Sequence, residues 1–115
     1  MKRSACLLVV LAALFLAGCI GGPAAINVKY EVTGTASIVS VTYYNRDGGI
    51  SQENNVAVPW SYSFDTTESG KFVYVAAQNM TDSGAVTVTI YKNGAVFKTA
   101  TSSGAYVIAM ASGTL

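Results

Sequence analysis

Residues 85–100 read AVTVTIYKNGAVFKTA, and this stretch decides the fold class. Apolar residues at positions 86, 88 and 90 alternate with Thr87, Thr89 and Tyr91, which is the period of a strand with one buried face. Asn93-Gly94 then supplies two residues that readily adopt positive φ in a type I′ turn, and the chain returns through residues 95–100. The stretch therefore predicts an antiparallel β-hairpin.

The same two-residue period recurs on both sides of the hairpin, and no helical period appears from residue 26 onward. The predicted strands are residues 26–33, 36–44, 60–65, 71–78, 86–91, 95–100 and 105–111. Turn-forming residues separate them at intervals of about ten residues, and we expect the first two strands to pair. About seven such strands predict an all-β fold, a small antiparallel immunoglobulin-like β-sandwich, with a small barrel as the alternative.

The start of the chain has the pattern of a lipoprotein signal. Lys2 and Arg3 precede an apolar run, residues 4–17, which is too short to cross a hydrocarbon core of about 30 Å as a helix. Leu16-Ala17-Gly18-Cys19 then matches a lipobox. The thiol of a lipobox cysteine takes a diacylglyceryl group, and the cysteine becomes the new N-terminus after cleavage. The alternatives are an ordinary secretory signal and a short buried helix with a chance cysteine.

This pattern divides the chain into three parts. We predict a signal peptide over residues 1–18, the lipidated Cys19 with a tether over residues 19–25, and one domain over residues 26–115. The domain then lies on the extracytoplasmic face of the cell membrane, held there by the lipid on Cys19. Because Cys6 leaves with the signal and Cys19 is acylated, the domain has no disulfide.

Charge and composition exclude several function classes. Cleavage removes two of seven basic residues, so five remain against six acidic ones and the formal charge becomes −1. The basic residues are scattered singly along the sequence, which argues against nucleic acid as a partner and against electrostatic adhesion to anionic lipid. The mature chain has no histidine and no free thiol, which excludes Ser-His, Cys-His and zinc-ligand constellations.

The carboxylates do not form a recognisable catalytic or metal-binding pattern. Asp65 and Glu68 flank a loop and are interpreted as solvated turn residues rather than as a glycosidase-like pair. Asn45-x-Asp47-Gly48 resembles a fragment of a calcium loop, but an Asp-Gly turn explains it more simply. We therefore predict that the protein is not an enzyme and that it holds no cofactor and no metal.

Pro59-Trp60 is a candidate interaction patch. Pro59 cannot donate a hydrogen bond to a neighbouring strand, so it marks an edge, a bulge or the start of a strand. An exposed Trp60 beside it would suit a partner, whereas core packing of its ring is the alternative.

Two further surface features are open to interpretation. Tyr44, Tyr74 and Tyr91 fall on strand faces opposite the aliphatic residues, where they form a contact surface or cover the outside of a sheet. Asn79-Met80-Thr81 matches an N-glycosylation acceptor at the end of a predicted strand.

Several separated motifs resemble the MmpS family. They are Val28-x-Tyr30-Glu31-Val32-x-Gly34, Val41-Thr42-Tyr43, Gln52, Pro59-Trp60-Ser61, Ala77-Gln78-Asn79, Asn93-Gly94 and Ser103-Gly104-Ala105. The resemblance extends over nearly all of the predicted domain. It implies a compact extracytoplasmic β-sandwich that, in mycobacteria, accompanies an MmpL transporter of the resistance-nodulation-division class in exporting lipids or siderophores. It supplies no catalytic residues.

The chain departs from this family in two ways. Family members commonly begin with a transmembrane helix, whereas Cys19 here offers a lipid anchor, which puts helix-to-helix contact with a transporter in doubt. The family's cysteine pair in the last strands matches Val88 and Ala111, which implies that apolar packing replaces the disulfide. We expect a non-enzymatic lipoprotein accessory to an export complex. The alternative is a stand-alone envelope lipoprotein with a structural, ligand-binding or protein-binding role and no part in transport.

Overall fold

The computed structural model describes residues 24–115, so the predicted signal peptide, Cys19 and most of the tether lie outside the described residues. This part of the chain forms eight strands. They are β1 (Ile26–Gly34), β2 (Ile38–Tyr44), β3 (Ile50–Ala57), β4 (Trp60–Thr66), β5 (Phe72–Asn79), β6 (Ala85–Lys92), β7 (Ala95–Ser103) and β8 (Ile108–Thr114). Within the same residues, no helix has the length and apolar character needed to cross a membrane.

The strands form two antiparallel sheets of four strands each. One sheet has the order β4-β1-β6-β7 and the other has the order β3-β2-β5-β8. Their inner faces pack together, and β7 also approaches β8 along one side of the molecule. The predicted all-β sandwich is confirmed.

The core consists of the inward side chains that the alternating pattern predicts. In β6, for example, Val86, Val88 and Ile90 are completely buried, and each stabilises the fold by about 1.5–3 kcal/mol relative to an exposed position. Ala111 of β8 lies in the same core as Val88, so both positions that match the family's cysteines are filled by buried apolar side chains.

The hairpin predicted from residues 85–100 is present. β6 and β7 pair from Ala85 opposite Ser103 to Lys92 opposite Ala95. Asn93 and Gly94 form the turn with φ values of 52° and 83°, the positive angles that a type I′ turn requires. Asn and Gly tolerate these angles, so the local sequence sets the pairing next to the turn. The register then shifts between Ile90 and Tyr91, since Tyr91 lies opposite Val96 and Ile90 lies opposite Lys98.

Two expectations about strands need correction. The sequence predicted about seven strands and missed β3, whose residues ISQENNVA are exposed on both faces over most of its length and so show no apolar alternation. The first two strands do not pair, because they lie in different sheets. The chain crosses between the sheets after Gly34, where the N–H groups of Thr35 and Ala36 both donate to the carbonyl of Ala85 at 3.0 Å.

The register defines two ends of the sandwich. β1 begins where β4 and β6 end, since Ile26 lies opposite Thr66 and Val28 lies opposite Lys92. We call this end the base; it holds the β2–β3 turn, the β4–β5 loop and the β6–β7 turn. The opposite or distal end holds the connections at residues 35–37, 58–59, 80–84 and 104–107.

Candidate functional site

Pro59 and Trp60 lie at the distal end of β4, which is an edge strand. Pro59 immediately precedes the strand, as predicted, and is exposed. Trp60 is half-buried, and its ring packs against Tyr43 with 5.1 Å between centroids. The indole N–H donates to Oε1 of Glu53 at 3.3 Å. The Trp60 ring is thus tied to the core, and a role of the pair as an interaction patch stays a prediction.

Trp60 belongs to a cluster of five aromatic side chains between the two sheets. Alternation along β4 directs Trp60, Tyr62 and Phe64 inward, where they meet Tyr30 of β1 and Tyr43 of β2. The ring centroids of neighbouring members lie 4.6–6.1 Å apart. Pairs at such distances contribute about 0.5–1.5 kcal/mol beyond their buried area. We call these five residues the aromatic cluster, and it stabilises the packing of the two sheets on this side of the sandwich.

Glu53 of β3 is exposed and accepts hydrogen bonds from two members of the aromatic cluster. Its two carboxylate oxygens accept from different rings, Oε1 from the Trp60 indole at 3.3 Å and Oε2 from the Tyr43 hydroxyl at 3.1 Å. Burial and the Glu53 carboxylate both raise the pKa of Tyr43, so its hydroxyl keeps the proton that it donates. This role of Glu53 was not predicted from the sequence. β3 itself was missed, so nothing in the sequence distinguished Glu53 from the other five carboxylates of the domain.

Tyr30 joins the two sheets through its hydroxyl group. The hydroxyl donates to the carbonyl of Tyr44 at 2.8 Å and accepts from the N–H of Tyr74 at 3.4 Å. The side chain is completely buried, and burial raises the pKa of Tyr30 to about 12. The phenol is therefore neutral at physiological pH and acts as a structural tie rather than as an acid.

Asn79 is not available for glycosylation in the folded domain. The side chain is completely buried. Its Nδ2 donates to the carbonyls of Ser83 and Gly104 at 2.9 and 3.0 Å, while its Oδ1 accepts from the N–H and the hydroxyl of Thr81 at 2.8 and 2.6 Å. Both polar atoms are thus used inside the protein. The motif Asn79-Met80-Thr81 instead joins the two distal loops at residues 80–84 and 104–107.

The outer face of the sheet β3-β2-β5-β8 carries no charged residue. Its outward positions, read from the alternation and the register, include Ile50, Gln52, Ser40, Thr42, Tyr44, Phe72, Tyr74, Ala76, Gln78, Ile108, Met110 and Ser112. Several are large and exposed: Ile108 and Met110 keep 57% and 55% of their surface. We call these twelve residues the uncharged face.

The three outward tyrosines do not form one surface. Tyr44 and Tyr74 are neighbours on the uncharged face, with 5.8 Å between ring centroids. Tyr91 lies on the other sheet, where its hydroxyl donates to Oε1 of Glu31 at 2.8 Å. This hydrogen bond to a carboxylate is the main reason that the pKa of Tyr91 is raised. Paired threonines, Thr87 with Thr101 at 2.8 Å and Thr89 with Thr99 at 3.1 Å between hydroxyl oxygens, lie between β6 and β7 on that outer face.

Asp65 and Glu68 take part in local contacts at the base. Asp65 accepts from Nδ2 of Asn27 at 2.9 Å, and Glu68 lies 3.4 Å from the ammonium of Lys71. Residues 45–49 form the predicted turn, in which Oδ1 of Asn45 accepts from the N–H of Asp47 at 2.9 Å. Among residues 24–115, no three His, Cys, Asp or Glu side chains come together as a metal site.

The amino-acid sequence is similar to that of known proteins. A family model described as "Mycobacterium membrane protein" matches residues 23–112. Proteins named "Probable transport accessory protein MmpS2" from Mycobacterium bovis and from Mycobacterium tuberculosis are 33% identical to the chain over 70 residues. The aligned part covers 61% of this chain and 47% of each relative, so the chain spans about half the length of the curated relatives it matches.

Proposed function

Since this chain belongs to the Mycobacterium membrane protein family, the MmpS family, we propose that its domain is a non-enzymatic accessory component of a membrane export complex. The observation that carries the proposal is the family match, which extends over nearly the whole sandwich, from residue 23 to residue 112. The printed names of the relatives describe transport accessory proteins, which supports an accessory rather than a catalytic role.

The membrane attachment that we propose is a lipid on Cys19. The lipobox Leu16-Ala17-Gly18-Cys19 supports it, together with the basic start and the short apolar run before it. Signal cleavage after residue 18 leaves the tether of residues 19–25 and then the sandwich on the extracytoplasmic side. The family description as a membrane protein agrees with attachment to a membrane.

The uncharged face is the surface that we assign to the transporter. The centres of protein interfaces are depleted of charged residues and enriched in aromatic residues and methionine, as this face is. Pro59 borders it at the distal end, because Ala57 of β3 lies opposite Ile38 of β2 immediately before the chain reaches Pro59. The candidate patch Pro59-Trp60 thus adjoins the larger face, with Pro59 available to a partner and Trp60 fixing its position.

The test is recovery of partners from native membranes. The full-length protein is crosslinked in its host and purified, and the bound proteins are identified by mass spectrometry, with Cys19→Ser as the matched control. We expect a multi-pass transporter with the unmodified chain, and release of the Cys19→Ser chain from the membrane with loss of that transporter. Recovery of envelope proteins alone would favour the stand-alone lipoprotein and refute the accessory function.

A further inference from the structure

We infer that the tip of the β6–β7 hairpin, residues 91–98, contacts the anionic phospholipid surface of the membrane. We call these eight residues the hairpin tip. The inference rests on the proposed lipid anchor at Cys19. It gives the anchored domain a defined orientation, with the base toward the membrane and the distal end away from it.

The hairpin tip lies beside the point where the tether enters the fold. The N–H of Asn93 donates to the carbonyl of Asn27 at 2.8 Å, and the N–H of Asn27 donates to Oδ1 of Asn93 at 2.9 Å. Residues 20–25 alone separate Cys19 from Ile26. Even fully extended, this segment spans at most about 25 Å. An anchor at Cys19 therefore keeps the start of β1, and the hairpin tip beside it, within reach of the lipid headgroups.

The hairpin tip combines apolar and cationic side chains in the way that suits a membrane interface. Val96 keeps 61% of its surface exposed. The ammonium groups of Lys92 and Lys98 lie 5.7 and 5.4 Å from the centre of the Phe97 ring. Apolar side chains at such a site enter the boundary between headgroups and acyl chains, while the ammonium groups of long lysine side chains reach the phosphates.

Lys92 and Lys98 give the hairpin tip a positive charge. The carboxylate that contacts the tip, Glu31, accepts from the Tyr91 hydroxyl at 2.8 Å and is offset by the Lys29 ammonium 4.0 Å away. Residues 83–115 contain Lys92 and Lys98 and no carboxylate side chain. Within the described residues, neither lysine forms an ion pair, whereas Lys29 lies 4.0 Å from Glu31. The scattering of basic residues along the sequence argued against electrostatic adhesion, but the fold brings the ammonium groups of Lys92 and Lys98 to the same aromatic ring, that of Phe97.

The loops on the rest of the base carry both basic and acidic side chains, so they lack the positive charge of the hairpin tip. An anionic surface therefore favours contact through the hairpin tip. Arg46 and Asp47 lie in the β2–β3 turn, and Asp65, Glu68 and Lys71 lie at or near the β4–β5 loop. These elements belong to the side of the sandwich formed by the edge strands β3 and β4. β7, which carries Lys98, is the edge strand on the opposite side of its sheet.

The experiment uses the full-length, lipidated protein in vesicles and an environment-sensitive fluorophore on a single introduced cysteine. Ala95→Cys places the probe in the hairpin tip, and Asp82→Cys places it in a distal loop. We expect a blue shift of the Ala95→Cys probe in vesicles of phosphatidylcholine with phosphatidylglycerol, a smaller shift in phosphatidylcholine alone, and no shift of the Asp82→Cys probe. The double substitution Lys92→Gln with Lys98→Gln should lower the shift in the anionic vesicles to the smaller value seen in phosphatidylcholine alone.

The control for charge is Arg46→Gln, which removes one exposed cation in the β2–β3 turn, away from the hairpin tip, and should leave the shift in place. Equal responses of the two probes, or a shift in anionic vesicles that is undiminished by loss of both tip lysines, would overturn the inference. Flotation of the vesicles separates the two proposals. If the chain floats with the vesicles but the Ala95→Cys probe shows no blue shift, only the hairpin contact is refuted. A chain that does not float refutes the anchor and the contact together.

Discussion

Replacement of Asn79 by alanine should cost the domain a large part of its stability. Asn79 is completely buried and takes part in four hydrogen bonds, two to the carbonyls of Ser83 and Gly104 and two from Thr81. Each such bond contributes about 0.5–1.5 kcal/mol net, and a buried group left without its partner costs about 1–3 kcal/mol. Water reaches the exposed parts of the two loops and restores some of these bonds. We therefore expect a loss of about 2–4 kcal/mol.

The assay is urea unfolding followed by circular dichroism, with thermal unfolding as a second measure. For a domain of this size, a loss of about 2–4 kcal/mol lowers the melting temperature by roughly 10–25 °C. Gln78→Ala is the matched control, since this neighbouring amide donates only to the carbonyl of Tyr106, at 3.2 Å, and is half-buried. It should cost under about 1 kcal/mol. Equal losses for the two variants would refute the conclusion that Asn79 is the residue that joins the distal loops.

Three further predictions follow from single contacts. Glu53→Ala removes the acceptor of the Trp60 indole, so the fluorescence of Trp60 should shift to the red and stability should fall by about 1 kcal/mol; an unchanged emission spectrum would contradict this role. Burial raises the pKa of Tyr30 to about 12, whereas the phenol of an unfolded chain titrates near pH 10. The neutral Tyr30 phenol therefore contributes its full stabilisation of the fold below about pH 10. The free energy of unfolding should fall by about 2 kcal/mol between about pH 10 and pH 12, and urea unfolding that is independent of pH over this range would refute the assignment. Gly34 has a φ of 140° and a Cβ there would overlap a backbone carbonyl at the start of β6, so Gly34→Ala should cost at least about 2 kcal/mol in urea unfolding. Gly70→Ala, with φ of 82° and open space around it, should cost about 1 kcal/mol, and a similar loss for both glycines would show that the overlap is relieved.

The sequence predicted those parts of the fold in which local chemistry and burial agree. Alternation along β6 correctly identified Val86, Val88 and Ile90 as the buried face. A strand that buries one face has apolar residues at every second position, so its own sequence shows which face is buried. Asn93-Gly94 similarly specified the turn by backbone preference alone. These features depend on residues close together in the chain, so no knowledge of distant contacts was needed.

The parts that were missed depend on contacts between distant residues. β3 is an edge strand with exposed polar residues on both faces, and its pairing with β2 supplies the structure that its own pattern does not predict. The failed pairing of β1 with β2 has a related cause, since the hydrogen bonds that redirect the chain after Gly34 come from Ala85, about fifty positions away. No short window of sequence contains this information.

In the candidate site, too, features set by neighbouring residues were predicted and features set by distant contacts were missed. Of the three readings of Pro59, an edge, a bulge or the start of a strand, the structure has Pro59 immediately before β4, an edge strand. The acceptor of the Trp60 indole, Glu53, lies on the strand that was missed. The lysines of the hairpin tip appeared isolated because sequence separation hides the distance between side chains. Their grouping around Phe97 became visible only in the folded hairpin.

The most direct test of the accessory function is site-specific photocrosslinking in the native host. A photoreactive amino acid replaces Met110 on the uncharged face, and in a matched variant it replaces Thr101 on the outer face of the other sheet; both positions are exposed. We predict that the probe at Met110 crosslinks to a multi-pass membrane transporter and that the probe at Thr101 does not. Crosslinks to the transporter from neither position, or equally from both, would contradict the account.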